Sequence, residues 1–280
     1  MVAPSAGRVR GARVAAGRTR REVMIVEETI EKMTKLKLPH MAAAFRELLD
    51  KAAGSALSVE ECVGLMIDRE WTARENSRIS RRIKDAKLGM QACMEEVWCE
   101  PSRGVDRAVV RSLSTCHWVS AKQNIILIGL TGTGKSYLGA AFAEAACRRG
   151  YRALRVRAPR LLDELAIARA NGSYAATLSR LAKLDVLVLD DLFIAPLTSM
   201  EQRDLLEVLD DRYDRCSTVV TSQVPTKTWH EMQNDPTLAD AICDRLVHNA
   251  HVLSLKGGSI RKRKGLEGKS KEERTEGNEG

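Results

Sequence analysis

Aromatic residues are scarce in this chain. Phe, Trp and Tyr make up 4% of its 280 residues, while apolar residues as a class make up 44%. The core is therefore expected to be aliphatic and alanine-rich. No apolar run approaches the roughly 18 residues that a membrane-spanning helix needs, so no membrane partner is expected. The N-terminus lacks the apolar stretch of a secretory signal, which points to a cytoplasmic protein. The seven cysteines (Cys62, Cys93, Cys99, Cys116, Cys147, Cys216, Cys243) are odd in number and contain no C-x-x-C pair. They read as reduced thiols, with no disulfide framework or zinc site. The five histidines show no metal-ligand spacing either. What the chain has in excess is positive charge, +8 overall, which suggests a polyanionic partner.

The most informative segment is Gly129-Leu130-Thr131-Gly132-Thr133-Gly134-Lys135-Ser136, a full match to the G-x-x-x-x-G-K-[ST] phosphate-binding loop. Its context is the one the chemistry requires. Asn124 to Ile128 is a short apolar, β-prone run, and Tyr137 to Ala146 is an alanine-rich helical segment. Glycines let backbone N–H groups close around phosphate oxygens, and the helix N-terminus adds a positive partial charge. Lys135 is expected to reach the β- and γ-phosphates, Ser136 to hold Mg²⁺, and Tyr137 to adjoin the nucleotide.

A second element supports this. Val186-Leu187-Val188-Leu189 is a continuous apolar run, as in a strand buried on both faces of a parallel sheet, and it ends in Asp190 and Asp191. Burying adjacent carboxylates is costly unless a cation receives them. Beside a phosphate loop that cation is Mg²⁺, with Asp190 as its ligand and Asp191 as the base that polarises water.

Four regions are expected. Residues 1–23 carry clustered arginines without apolar periodicity. They read as a disordered extension, either a nucleic-acid arm or a segment without function preceding the helical sequence at Met24. Residues 24–112 are helical in pattern, a small N-terminal domain for DNA or partner binding. Within it Arg74, Arg78 and Arg82 recur every four residues with Arg81 beside them, and Trp71, Ile79 and Ile83 form an apolar stripe. This basic stripe either grips DNA phosphates or is a solvated face paired with Glu75 and Asp85. Trp98, Cys99 and Pro101 read as the exit from this domain. Residues 113–264 alternate strand and helix: strands near 124–128, 151–156, 186–189, 217–223 and 251–255, with helices between them. That order implies a parallel sheet flanked by helices, with its ligand at the strands' C-terminal edge. His117 and Trp118, just before the first strand, fit a core role better than an adenine contact. Residues 265–280 are a charged, glycine-rich tail, expected to be disordered.

Taken together, GLTGTGKS, VLVLDD, VVTSQVPTKTW, DPTLADAICDRLVHNAH and GGSIRK, in this order after a helical domain, closely resemble the IstB-like ATP-binding proteins, AAA+ helpers of insertion-sequence transposases. The resemblance covers about residues 24–264. It implies an AAA+ fold with nucleotide sites shared between subunits of a homo-oligomer, and ATP and Mg²⁺ as cofactors. Carried onto this chain, the polar sensor at the tip of the fourth strand is Ser222 or Gln223. Arg245 is the arginine finger, and Arg261 a nucleotide-sensing residue after the last strand. The magnesium strand ends in Asp-Asp where many AAA+ proteins have Asp-Glu. The function implied is assembly on double-stranded DNA, remodelling of that DNA and recruitment or stimulation of a cognate transposase. The nearest alternative is a DnaC-like loader of the replicative helicase, which would prefer single strands. A small-molecule kinase would need an acceptor pocket and lid that the sequence does not offer. A non-hydrolysing scaffold conflicts with the intact Lys135, Asp190, Asp191 and Arg245.

Overall fold

The computed structural model describes residues 20–51 and 57–260. The expectations for residues 1–19, for the tail 265–280 and for Arg261 lie outside the described residues. The chain divides into two compact units, Met1–Arg78 and Ile79–Gly280. The division falls well before residue 112, the boundary the sequence pattern suggested.

In the first unit, α1 (Arg20–Lys35) starts four residues ahead of Met24 and is followed by α2 (Pro39–Lys51) and the larger part of α3 (Val59–Asp85). A short turn at 36–38 separates α1 from α2. The polar centre of this unit is Glu70, which is buried. Its carboxylate accepts the backbone N–H groups of His40 (2.9 Å) and Met41 (3.0 Å) in the first turn of α2. These are donors that no helical carbonyl can satisfy. Arg74 bonds the same carboxylate at 2.7 Å and also donates to the carbonyl of Lys37. These bonds hold Glu70 below the usual carboxylate range, against the burial that pushes it up.

The second unit takes in the last turns of α3, then α4 (Arg107–Ser114), α5 (His117–Ser120), β1 (Asn124–Gly129), α6 (Lys135–Arg148), β2 (Ala153–Arg157), α7 (Ala158–Ala170), α8 (Tyr174–Ala182), β3 (Val186–Leu192), α9 (Ser199–Arg212), β4 (Ser217–Ser222), α10 (Pro236–Val247) and β5 (Ala250–Leu255). The strands form one five-stranded sheet of order β2-β3-β4-β1-β5, with every pairing parallel. Period-two alternation divides its side chains between two cores. Ile125, Leu127, Val186, Val188 and Val219 face α6 and the segment 86–119, including Leu88, Val105 and Leu113. Ile126, Leu187, Leu189 and Val220 face α7 to α10. Residues 79–112 thus help to cover one face of the sheet. Trp118 is buried there, edge-to-face with Phe142 at 6.3 Å, which is the core role its position suggested.

Arg212, at the end of α9, is 1% exposed. Its guanidinium donates to the carbonyls of Leu181 (2.7 Å), Leu184 (2.9 Å) and Ser217 (2.6 Å), tying α8, the turn before β3 and the start of β4 to α9. Burial lowers its pKa to about 10. Substituting Arg212→Leu keeps the apolar stem but leaves three buried carbonyls without this donor. It is expected to lower unfolding stability by about 3 kcal/mol in urea titration, and a loss below about 0.5 kcal/mol would contradict this role.

Candidate nucleotide site

Parallel pairing puts the C-terminal ends of β1, β3 and β4 side by side, in the order β3-β4-β1. The phosphate loop leaves β1, the two carboxylates lie near the end of β3, and Ser222 ends β4 with Gln223 next in the chain. They surround a cleft of about 930 Å³ lined by Thr131 to Leu138, Asp190, Asp191 and Gln223. Gly132 and Gly134 take positive φ values of +84° and +98°, which side chains with a Cβ rarely adopt. A Cβ on Gly132 would also meet Ser259 Oγ at 2.3 Å, because the chain after β5 lies against the loop and Ile260 donates its N–H to the Gly132 carbonyl at 2.9 Å. Arg261, beyond Ile260, lies outside the described residues. Lys135 is buried, and its Nζ donates to the carbonyls of Gly129 (2.6 Å) and Leu130 (2.9 Å), so its charge is held within the loop.

The β3 end departs from regular strand geometry. The β3–β4 register shifts between Leu189 and Leu192, and Asp191 takes a φ of +59°. One hydroxyl joins the two carboxylate residues. Thr221 Oγ1 donates to Asp190 Oδ1 at 2.5 Å and accepts the Asp191 backbone N–H at 2.9 Å. Asp190 is buried and Asp191 half-buried. Each also pairs with an arginine of β2: Asp190 with Arg155, and Asp191 with Arg157 at 3.1 Å. The sequence does not mark Thr221 as a site residue, and it shows Arg155 and Arg157 only as basic residues of the second strand, as suited to the surface, a subunit contact or DNA as to this site. Thr221 reads as one more β-former in a buried strand, and no local pattern shows which strand lies beside β3.

The two candidates at the tip of β4 differ. Ser222 is buried, donates to the Leu192 carbonyl (2.9 Å) and accepts the Val224 N–H (3.1 Å). Gln223 lines the cleft, and its Oε1 accepts the Thr131 hydroxyl at 2.7 Å.

The segment after α3 supplies another wall, with Met90, Val97, Trp98 and Val105 among the apolar lining. Trp98 carries the Arg103 guanidinium 4.4 Å from its ring centroid, and Arg103 Nη2 donates to the Thr133 carbonyl of the phosphate loop at 2.9 Å. Tyr137 lines the cleft, accepts the Cys93 N–H (3.4 Å) and donates to Glu96 (3.0 Å). Burial, with the Glu96 carboxylate adding to it, pushes its pKa up to about 12, so it stays a neutral donor.

Arg245 is not part of this cleft. It lies on α10, paired with Asp210 of α9, and its carbonyl accepts from Asn124 Nδ2 at 3.0 Å. Asn124 opens β1 and the phosphate loop closes it, so strand rise alone separates the two ends by about 17 Å. An arginine side chain at the N-terminal edge of the sheet cannot cross that distance to its own cleft.

The arginines of the basic stripe separate as well. Arg74 is committed to Glu70 and Lys37. Arg78 is exposed, 3.3 Å from Glu75, and Arg81 is exposed, while Arg82 is half-buried. Trp71 is 68% exposed, so the expected apolar stripe is not buried along its whole length. Ile83 packs against the core of the second unit. Among the described residues no cluster of His, Cys, Asp and Glu has metal-binding geometry, and no helix is long and apolar enough to cross a membrane.

The donor set suits a nucleotide with its metal: loop N–H groups, a lysine, a serine hydroxyl and two carboxylates in one cleft, with glycines where side chains would fill the cradle. Comparison with known proteins agrees with that chemistry. The chain is 42% identical over 239 residues to a Sinorhizobium fredii protein described as the insertion sequence ATP-binding protein y4pL, covering 85% of this chain and 98% of that one. It is 32% identical over 229 residues to the protein described as the IS21 ATP-binding protein of Pseudomonas aeruginosa, covering 82% and 86%. Among solved structures, DnaI (TM-score 0.52, 23% identity, 63% of this chain and 94% of that one) and AMPPCP-bound DnaA from Aquifex aeolicus (TM-score 0.52, 17% identity, 66% and 56%) share the fold. The model of the IstB-like ATP binding protein family matches residues 31–268, and with its AAA+ sheet and phosphate-loop cleft this chain belongs to that family.

Proposed function

We propose that this protein is an ATPase that assembles on duplex DNA during transposition, remodels that DNA and recruits or stimulates a transposase. The observation that carries the reading is the position of the candidate catalytic groups at opposite edges of one sheet. Lys135, Ser136, Asp190 and Asp191 line the cleft, and Arg245 sits at the far edge. A second copy of the chain is what brings such an arginine to the cleft. The transposase comes from the family resemblance and from relatives described as insertion-sequence ATP-binding proteins.

In this reading Lys135 binds the β- and γ-phosphates, and Ser136 and Asp190 hold Mg²⁺. ATP bound with Mg²⁺ supplies the phosphoanhydride that is cleaved. Asp191 orients and deprotonates water, with Thr221 fixing its backbone. Gln223 senses the γ-phosphate end through its bond to Thr131. Trp98 and its apolar neighbours exclude water around the base. Arg245 of an adjoining subunit leaves Asp210 and stabilises the charge that develops on the transferred group. Hydrolysis then loosens the subunit contact and resets the assembly. Arg78 and Arg81 hold DNA phosphates, and binding through phosphates and bending makes target choice weakly dependent on sequence.

Lys135→Ala is expected to weaken ATP binding by about tenfold to a hundredfold and to abolish ATP-dependent growth of particle size on duplex DNA. Arg245→Ala is expected to bind ATP normally but to lose at least about 10³-fold in kcat. A wild-type chain that stays monomeric with ATP and duplex DNA would contradict the reading, and a preference for single strands would favour helicase loading.

The arginine stripe gives a separate test. Replacing Arg78 and Arg81 together with Ala is expected to weaken duplex binding and to lower the slope of log affinity against log salt by about 2. Arg74→Ala is expected instead to lower the melting temperature of the protein, with little change in that slope. If Arg74→Ala alone moves the slope, the assignment of the three residues is wrong.

A further inference from the structure

Arg155 sits in the cleft, and the nucleotide chemistry above gives it no task. Its side chain is 15% exposed and that of its partner Asp190 only 3%. Nη2 donates to Asp190 Oδ2, while Nη1 donates to the Leu88 carbonyl at 2.7 Å. The backbone N–H of Arg155 bonds the Ala86 carbonyl at 2.8 Å. Its Nε is buried without a hydrogen-bond partner. The other oxygen of Asp190 is held by the Thr221 hydroxyl. Both carboxylate oxygens are thus fixed from inside the protein. Arg157 differs: at 60% exposure, its contact with Asp191 is a surface pair, and such pairs are weak and screened.

A buried carboxylate at the mouth of a phosphate site has two electrostatic costs. Its charge must be paired in the interior, and it repels the triphosphate that enters beside it. A planar guanidinium can meet the first need while also bonding a carbonyl, because its donors point in fixed directions.

We propose that Arg155 is the positioning residue of the metal carboxylate. It fixes the orientation of Asp190 and sets a positive charge against it, and so offsets the repulsion between Asp190 and nucleotide phosphates whether or not a divalent cation is bound. Through Leu88 it ties that carboxylate to the segment that leaves α3. Arg155 therefore sets how strongly nucleotide binding depends on Mg²⁺. This rests on the reading of the cleft as an ATP site.

The test is equilibrium binding of a fluorescent ATP analogue to the full chain, in Mg²⁺ and in EDTA. Wild type is expected to bind in EDTA within about tenfold of its affinity in Mg²⁺. Arg155→Met is expected to lose about a hundredfold in EDTA but less than about fivefold in Mg²⁺, where the cation takes over the neutralisation. Arg155→Lys, which keeps the charge, is expected to recover most of the binding in EDTA. Equal losses of Arg155→Met in both conditions would reduce Arg155 to a packing residue and overturn the proposal. Loss of wild-type binding in EDTA alone would overturn it without any variant, should Arg155→Met fail to fold. Absence of wild-type binding in both conditions is a different failure, since it removes the ATP site itself.

Discussion

The position of β3, paired on one side with β2 and on the other with β4, governs the rest of the site. Its Val-Leu-Val-Leu run is fully buried on both faces. A strand placed so has nowhere to put charge except its end, and the end it reaches adjoins the phosphate loop. Thr221 from β4 and Arg155 from β2 then meet Asp190 from opposite sides. The two carboxylates are held by neighbours on strands distant in sequence, so their geometry belongs to the sheet and not to the loop that carries them.

The same sheet explains why, in the proposed mechanism, one copy of the chain falls short of a complete catalytic set. Parallel strands collect the glycine loop, the carboxylates and Gln223 at one edge. They leave Asn124, Arg212 and Arg245 at the other. Asp210 partners Arg245 there, so the arginine is neutralised within its own subunit, and the proposed action on a neighbour's phosphate requires it to exchange one anion for another. Such an exchange costs less than exposing a buried charge, because Asp210 is partly exposed and the pair is screened.

Much of this was legible before any coordinates. The phosphate loop, the acid-tipped strand and the five β segments rest on local patterns: glycine spacing, an unbroken apolar run and alternation of strand with helix. The structure has each of them within a few residues of the pattern, with β2 starting at Ala153 and β3 running on through the two carboxylates to Leu192. What stayed hidden is non-local. Nothing in YRALRV says that Arg155 will lie against Asp190, since that follows from strand order. Residues 79–112 have a helical look, and only their contacts join them to the sheet unit: the carbonyls of Ala86 and Leu88 accept from Arg155 of β2, and Leu88 and Val105 lie in the core on that face of the sheet. Trp98 read as a domain exit, yet the return of its segment makes it a wall of the cleft. Ser222 and Gln223 are adjacent and both polar, so spacing alone could not separate them. Their contacts differ: Ser222 bonds the Leu192 carbonyl at the end of β3, and Gln223 bonds Thr131 of the phosphate loop.

The central claim is that the nucleotide cleft of one subunit is completed by Arg245 of another. Mixing two defective chains tests it most directly. Lys135→Ala lacks a working cleft but keeps its arginine, and Arg245→Ala keeps the cleft but lacks the arginine. Each alone, on duplex DNA, should hydrolyse ATP at background rate, and an equimolar mixture should recover a substantial part of wild-type turnover. A mixture no more active than its components, or an Arg245→Ala chain as active as wild type, would contradict a site shared between subunits.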